Sequence, residues 1–410
     1  SQRYEDLAEL LGEITLFQAM LSDGSEPHTI VGRTRELAVA GQLLRSVRSG
    51  LSESLLIVGE AGQGKTFLWQ NVTSASRAPR EKWCYYKGPQ TGGTPYSAVA
   101  SLLQQLAKET NPAALPQLRP GAPGVGNSTI RLLSAISPPI ASLFGGERLS
   151  DRDGNAVSEE GTSVESDMEI ARLLLSLASA PDAALLVVDD IQWVDRQSVA
   201  VLIQLLRLDH PGVGVVFLGR PEGSRRVPEE LLTRRLSLDG LSEADSLRLL
   251  SWLTGGADSP RTPPRSFGRI NRYAQGNPLL LIHMALDRDW DSGEEEARRW
   301  KASAATAPAK MVASVAGSRL AHVSEPAKRL LAFTALLLPP VSISVLLRVS
   351  ELGESELPEL LDECERALLL VVDRSQETLR FSHDSIETSA RGLAVSSEEI
   401  VEQSVRLLLE

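Results

Sequence analysis

The stretch GEAGQGKT, residues 59–66, combines residue types that bind phosphate. It fits the pattern G-x-x-x-x-G-K-[ST] and follows the apolar run SLLIV at 54–58. Its three glycines let the backbone curl until its N–H groups point at a β-phosphate. The Lys65 ammonium would reach the β- and γ-phosphates, and the Thr66 hydroxyl would bind Mg²⁺. The pattern predicts a nucleoside triphosphate site whose contacts come from Glu60, Ala61, Gly62, Gln63, Gly64, Lys65, Thr66 and Phe67.

Two acids stand at the end of a second apolar run, in LLVVDDIQWVD at 185–195. A carboxylate in this place holds the Mg²⁺ of a phosphate-loop site, and we assign that role to Asp189. Asp190 would then face the γ-phosphate and orient the attacking water, although its side chain is one methylene shorter than glutamate. Taken alone, the two acids would also be compatible with the capping of a strand end.

A third apolar run, VVFLGR at 215–220, ends in Arg220. A guanidinium suits a terminal phosphate because it can donate two parallel hydrogen bonds. We therefore group Arg220 with Lys65 and Asp190 as candidate catalytic residues. A surface arginine that follows a strand is the alternative interpretation.

The segments that would position these groups alternate between buried strands and helices. Strand-like runs occupy 54–58, 83–86, 184–188 and 213–218, and helical patterns occupy 97–107, 166–180 and 196–208. This alternation predicts an α/β P-loop fold, in which a parallel sheet carries helices on both faces. Residues 108–165 are rich in Pro, Gly, Ser and Asp, and we interpret them as an insertion with long loops.

Beyond residue 239 the pattern is mainly helical. Ser242 with Asp245 predicts a helix cap. Three helical stretches (325–337, 341–350 and 355–367) precede two alternating strands (368–373 and 378–382), which together have the outline of a winged helix. The predicted domains are an N-terminal linker helix at 1–28, a P-loop NTPase domain at 29–238, a helical lid domain at 239–310, a winged-helix domain at 311–395, and the start of a C-terminal helical region at 396–410.

The composition indicates which cellular compartment and which classes of partner to expect. The net charge is −11 and no basic stripe appears, so we expect no direct nucleic acid binding. Two isolated cysteines and the lack of an opening signal peptide fit a reducing cytoplasm. The longest uncharged run, 330–347, is broken by Pro339 and Pro340, which favours two buried helices over a membrane span.

Taken together, the motifs resemble the STAND signal-transduction ATPases, the AAA-like NTPases that work as switches. The resemblance is carried by IVGRTREL (30–37), GEAGQGKT (59–66), TPYSAV (94–99), LLVVDDIQWVD (185–195), FLGRPEG (217–223), LDGLSEADSLRLL (238–250), GNPLLL (276–281) and LRFSHDSI (379–386). It is closest to the ATPase part of large ATP-binding LuxR-like regulators. It implies an ATP/ADP-dependent switch with slow hydrolysis, flanking effector and sensor domains or proteins, and ATP-dependent self-assembly.

The resemblance also implies roles for residues outside the phosphate loop. Gly32 and Arg33 would contact the nucleotide where the chain enters the domain. Pro278 would pack on adenine, although a proline in the first turn of a helix explains the same residue locally.

His383 of the sequence FSHD would touch the β-phosphate of ADP, since the resemblance implies a Met-His-Asp motif in this position. Here Ser382 replaces the methionine. With ADP bound, this contact would hold the chain in an inhibited state. A histidine satisfied by its surroundings at a strand-to-helix corner is the alternative.

Two other functions are compatible with the pattern. An Orc-like or transposition-helper ATPase acting on DNA would carry a glutamate after the magnesium aspartate and a basic wing, and the turn DRSQET at 373–378 is not basic. Arg269 or Arg272 could nevertheless serve as the lid arginine of such a motor. A non-hydrolysing scaffold that keeps ADP as a structural cofactor is compatible with the short Asp190.

Overall fold

The computed structural model of the protein describes most of two compact units. The described residues are 30–76, 81–90, 93–109, 164–179, 183–255, 267–286, 317, 319–337, 341–350, 353, 356–367, 369–373, 377–382 and 384–395. One unit spans Arg33–Asp239, and the described residues outside that range form the other.

A five-stranded parallel sheet forms the centre of the Arg33–Asp239 unit. Its strands are β1 (Glu53–Gly59), β2 (Lys82–Lys87), β3 (Ala184–Asp189), β4 (Val213–Gly219) and β5 (Arg234–Leu238). They lie in the order β2-β3-β4-β1-β5, and every neighbouring pair is parallel. This confirms the predicted parallel sheet. The fifth strand was not predicted, because its sequence RRLSL contains two charged residues and no apolar run.

Helices surround this sheet. They are α1 (Thr34–Arg48), α2 (Lys65–Ser76), α3 (Ser97–Glu109), α4 (Val164–Ala178), α5 (Arg196–Arg207) and the short α6 (Pro221–Ser224). Leu56 and Val215 belong to the core that the sheet shares with α3, α4 and α5. At Gly214 a Cβ atom would lie 2.9 Å from Val47 of α1. Gly214 and Val215 are neighbours in β4 and therefore point to opposite faces of the sheet. Helix α1 thus covers the face opposite to α3, α4 and α5.

The carboxyl ends of the strands lie along one edge of the sheet. In the strand register Lys87 pairs with Asp189, and Val58 pairs with Gly219. The residues that follow β1, β3 and β4 therefore come together, as is usual for ligand sites in open α/β sheets. These residues are the phosphate loop, Asp190 and Arg220.

The second unit begins with three helices that share a small core, α7 (Glu243–Gly255), α8 (Phe267–Ala274) and α9 (Pro278–Leu286). The predicted cap is confirmed at α7. The Ser242 hydroxyl donates to Asp245 Oδ2 at 2.7 Å, and the Asp245 N–H donates to Ser242 Oγ at 3.1 Å. This reciprocal pair satisfies one of the N–H groups that a helix start leaves without a partner.

A second helical group of this unit packs on a small antiparallel sheet. The helices are α10 (Glu325–Leu336), α11 (Ile343–Ser350), α12 (Leu357–Arg366) and α13 (Asp384–Val395), and the strands are β6 (Val341–Ser342), β7 (Leu370–Asp373) and β8 (Thr378–Phe381) in the order β6-β8-β7. The helix predicted from 341 begins at Ile343 instead, because Val341 and Ser342 pair with β8. The winged-helix designation of this group stays a prediction.

Other predicted features lie outside the described residues. They are the N-terminal linker helix predicted at 1–28, the interior of the insertion at 110–163, and the segments 287–310 and 396–410. Within the part of the chain that the structure describes, none of the helices combines the length and apolar character that crossing a membrane requires.

Candidate functional site

The phosphate loop has the backbone that the glycine pattern predicts. Between β1 and α2 the chain turns through Gly62 and Gly64, whose φ angles are +80° and +83°. A Cβ atom at Gly64 would meet no other atom within 4 Å. Glycine is therefore required at this position by the left-handed backbone and not by crowding, since side-chain-bearing residues rarely adopt positive φ.

The Lys65 side chain is folded back onto the loop and is almost completely buried. Its ammonium donates to the carbonyl oxygens of Gly59, at 2.7 Å, and Glu60, at 3.1 Å. Burial lowers the pKa of Lys65, the charges of Asp190 and Asp189 raise it, and that of Arg220 lowers it further. Because its direct partners here are neutral carbonyls, an anionic phosphate would be a stronger partner for this ammonium.

Asp189 is held by three donors at the end of β3. The hydroxyls of Thr66 and Tyr85 both donate to its Oδ2, at 2.6 Å and 2.8 Å, and the N–H of Asp190 donates to Oδ1 at 2.8 Å. A carboxylate and a hydroxyl this close form an all-oxygen set of the kind that Mg²⁺ prefers. Thr66 and Asp189 thus fit the predicted metal role.

Asp190 follows in a left-handed backbone conformation, with φ of 52° and ψ of 49°. Aspartate tolerates this region better than most residues, at a cost on the order of 1 kcal/mol. Its Oδ1 accepts a hydrogen bond from Gln192 Nε2 at 2.8 Å, and its Oδ2 lies 3.9 Å from Lys87 Nζ. Gln192 and Lys87 therefore restrain the orientation of the Asp190 carboxylate, one at each oxygen.

Arg220 lies at the start of α6, directly after β4. Its backbone N–H donates to Gln192 Oε1 at 3.1 Å. Among the described residues, its guanidinium makes no hydrogen bond or ion pair, although its charge acts on Lys65. The structure thus brings the three predicted catalytic residues and the two predicted metal ligands to one edge of the sheet.

Arg33 contacts the phosphate loop through a backbone carbonyl. Its guanidinium donates to the carbonyl oxygens of Asp239, at 2.6 Å, and Gln63, at 3.4 Å, and pairs with Glu36 at 3.3 Å. These bonds give Arg33 a role in holding the loop in place. Its contact with a nucleotide stays a prediction.

Three predicted nucleotide contacts lie outside the Arg33–Asp239 unit. Gly32 adopts φ of +69°, and a Cβ atom there would lie 3.0 Å from Asp245 Oδ2. Pro278 begins α9 directly after Asn277, whose side-chain oxygen accepts from the Leu280 N–H at 3.2 Å. The local explanation of this proline as a helix-start residue therefore holds, and its packing on adenine stays a prediction. His383 lies outside the described residues.

Sequence reasoning missed Tyr85, Lys87 and Gln192. Tyr85 and Lys87 lie in the site because β2 pairs with β3, and no local sequence pattern predicts that pairing. Gln192 was quoted within the acidic motif without a role. Asp195 of the same motif has a structural role, since it caps α5 through the Ser198 N–H and accepts from the Tyr96 N–H.

Comparison with known proteins agrees with this geometry. Residues 29–218 match the AAA ATPase domain family. An uncharacterized protein of Rhizobium meliloti (strain 1021) is 26% identical over 302 residues, which cover 71% of this chain and 28% of that protein. The chain therefore spans less than a third of the length of this relative.

Similar solved structures include a STAND protein with a tetratricopeptide repeat sensor from Pyrococcus horikoshii. Its TM-score is 0.52 at 17% identity, over 93% of this chain and 45% of that one. The Drosophila ORC bound to DNA has a TM-score of 0.41 at 14% identity over 92% of both chains.

The fold is that of a P-loop ATPase and is similar to the fold of the STAND protein. The match of residues 29–218 to the AAA ATPase domain family implies nucleotide binding.

Proposed function

We propose that the chain is the ATP/ADP-dependent switch module of a larger signalling or transcriptional regulator. The observation that carries the proposal is the set of charged groups around the phosphate loop. Among the described residues, Lys65 has only backbone carbonyls as hydrogen-bond partners and the Arg220 guanidinium has no partner, while Thr66 and Asp189 form an oxygen pair. An Mg²⁺-bound triphosphate complements all three.

Each residue of the site has its own role in ATP binding and hydrolysis under this proposal. Lys65 exchanges its carbonyl partners for the β- and γ-phosphates, and Arg220 binds the γ-phosphate. Thr66 and Asp189 would hold Mg²⁺, which when bound neutralises charge on the β- and γ-phosphate oxygens. Asp190 orients the attacking water. Since catalysis of phosphoryl transfer consists mainly of positioning and electrostatics, these groups are of the kind that hydrolysis requires.

A regulatory role follows from the difference between ATP and ADP. A contact made only to the γ-phosphate, such as that of Arg220, contributes roughly 1.5–3 kcal/mol. Moving a population from 1:99 to 99:1 requires about 5.5 kcal/mol, so the remainder comes from effector and sensor domains or partner proteins. Under this proposal hydrolysis is slow and resets the switch. The ADP-bound state is the inhibited one, ATP-dependent self-assembly accompanies activation, and the module works in the reducing cytoplasm.

Replacement of Arg220 tests this proposal. Arg220→Ala should weaken ATP binding by about 10- to 150-fold and leave ADP binding within twofold, because only ATP carries the γ-phosphate. Arg225→Ala is the matched control, since Arg225 is an exposed arginine that follows the same short helix. Titration calorimetry with both nucleotides measures the effect. An equal loss of ATP and ADP affinity in Arg220→Ala would remove Arg220 from the switch.

A non-hydrolysing ADP scaffold is the second candidate. It is favoured by the short Asp190 side chain, whose carboxylate is approached by Lys87 Nζ at 3.9 Å. Phosphate release is the discriminating measurement. The switch predicts a slow rate that Asp189→Ala abolishes, whereas the scaffold predicts no release above that of Asp189→Ala.

A further inference from the structure

The side chain of Gln192 joins two groups that the proposed function places at the γ-phosphate. It lies in the 3₁₀ turn Ile191–Trp193, which follows β3 and Asp190. Its Nε2 donates to Asp190 Oδ1 at 2.8 Å, and its Oε1 accepts from the backbone N–H of Arg220 at 3.1 Å. One carboxamide thus connects the end of β3 to the end of β4.

The chemistry of the partners fixes the orientation of this carboxamide. An ionised carboxylate can only accept a hydrogen bond, and a backbone N–H can only donate one. The Gln192 amide must therefore present its NH₂ to Asp190 and its oxygen to Arg220. The opposite flip would lose both bonds, so a single arrangement of the side chain is stabilised.

The surroundings of Gln192 leave the side chain little freedom. A Cβ atom at Gly223 would lie 2.9 Å from Gln192 Cβ, and one at Gly219 would lie 3.3 Å from Gln192 Oε1. These two glycines flank Arg220 in sequence and allow the turn to pack directly against β4 and α6. The turn itself is anchored by Arg226 Nη1, which donates to the carbonyl oxygens of Ile191 and Val194, at 2.6 Å each.

We propose that Gln192 is a positioning residue for ATP hydrolysis, which sets the Asp190 carboxylate in line with the γ-phosphate site defined by Arg220. This inference rests on the proposed function. Asp190 has a shorter reach than glutamate and a backbone at positive φ, so small rotations of its carboxylate displace the water that it orients. A hydrogen bond to Oδ1 restricts that rotation, and Lys87 Nζ lies 3.9 Å from Oδ2. Misplacement of a reacting group by about 1 Å can cost on the order of 100-fold in rate.

Two substitutions at Gln192 test its hydrogen bond to Asp190. Both remove that bond, and only one of them keeps an acceptor for the Arg220 N–H. Gln192→Met keeps an unbranched side chain of similar length and removes both bonds. Gln192→Glu keeps an acceptor for the Arg220 N–H but turns a second carboxylate towards Asp190. We expect kcat for ATP hydrolysis to fall about 10- to 100-fold in both variants, with KM for ATP within threefold of the wild type. Gln197→Met, five residues further along the chain in α5 and outside the site, is the matched control and should leave kcat and KM unchanged.

A double-mutant cycle distinguishes positioning from a general structural role. If Gln192 acts through Asp190, Gln192→Met should have no further effect on the residual rate of Asp190→Ala. Melting temperature and the affinity for a fluorescent ATP analogue verify that each variant is folded. An unchanged or raised kcat in Gln192→Met would overturn the inference, as would a loss that persists in the Asp190→Ala background or appears only in KM.

ATP binding and hydrolysis by the wild type distinguish a failure of this inference from a failure of the proposed function on which it rests. If the wild type hydrolyses ATP and Gln192→Met does so equally fast, the inference alone is wrong. If the wild type binds ATP but releases no phosphate, hydrolysis and the inference are both wrong.

Discussion

The Thr66 hydroxyl donates to Oδ2 of Asp189 at 2.6 Å, which joins the first turn of α2 to the end of β3. These residues lie 123 positions apart in the chain. The same oxygen accepts the hydroxyl of Tyr85 at 2.8 Å, so two strands and one helix fix a single carboxylate. Side chains that orient a metal ligand in this way commonly tune the affinity of the metal.

Tyr85→Phe should therefore lower the affinity of the ATP site for Mg²⁺. We expect about a tenfold higher Mg²⁺ concentration at half-maximal ATP binding, because the Asp189 carboxylate loses one of its fixed donors. Binding of a fluorescent ATP analogue across an Mg²⁺ series measures this directly. Tyr86→Phe is the matched control, since the Tyr86 hydroxyl contacts Ser97 instead. Equal Mg²⁺ dependence in the two variants would show that Tyr85 has no part in the metal site.

The stability of the Arg33–Asp239 unit should depend on pH through Glu53. Burial pushes the pKa of the Glu53 carboxyl up, but hydrogen bonds from Arg234 and Thr233 outweigh it, so the net pKa lies below its ordinary value. A lowered folded-state pKa means that this contribution is present above about pH 4.5 and is lost as the pH falls through the folded-state value.

Glu53→Gln should therefore lower the free energy of unfolding at pH 7 and make it less sensitive to pH between about 5 and 3. Urea unfolding across that range provides the measurement. Glu222→Gln serves as the control because Glu222 is exposed and makes no comparable pair among the described residues. A Glu53→Gln curve parallel to the wild-type curve over this range would contradict the prediction.

In the ADP-bound state of the switch, His383 would contact the β-phosphate, and this contact should affect ADP more than ATP. His383→Ala should weaken retention of ADP by about tenfold, as expected for one lost charged hydrogen bond, and should leave ATP binding unchanged. Dissociation rates of both nucleotides in stopped-flow experiments give the comparison. His322→Ala, at another histidine of the same unit, is the control. Equal effects on ADP and ATP would exclude His383 from the switch.

The sequence predicted the groups whose function depends on local order along the chain. The phosphate loop and the Asp189–Asp190 pair follow apolar strands directly, so their places at the sheet edge follow from the run before them. Strand β5 was missed because RRLSL exposes charged residues on an edge strand, where the apolar run is short. Tyr85, Lys87 and Gln192 depend on which strands become neighbours, and this is a property of the folded sheet alone.

Titration calorimetry of ATP and ADP into the nucleotide-free protein tests the central claim most directly. The account predicts that the wild type and Lys108→Ala, at an exposed lysine of α3, bind both nucleotides at one site per chain. Lys65→Ala should bind neither, because it removes the ammonium that meets the β- and γ-phosphates. Absence of binding to the wild type, or binding to Lys65→Ala as tight as to the wild type, would contradict the account.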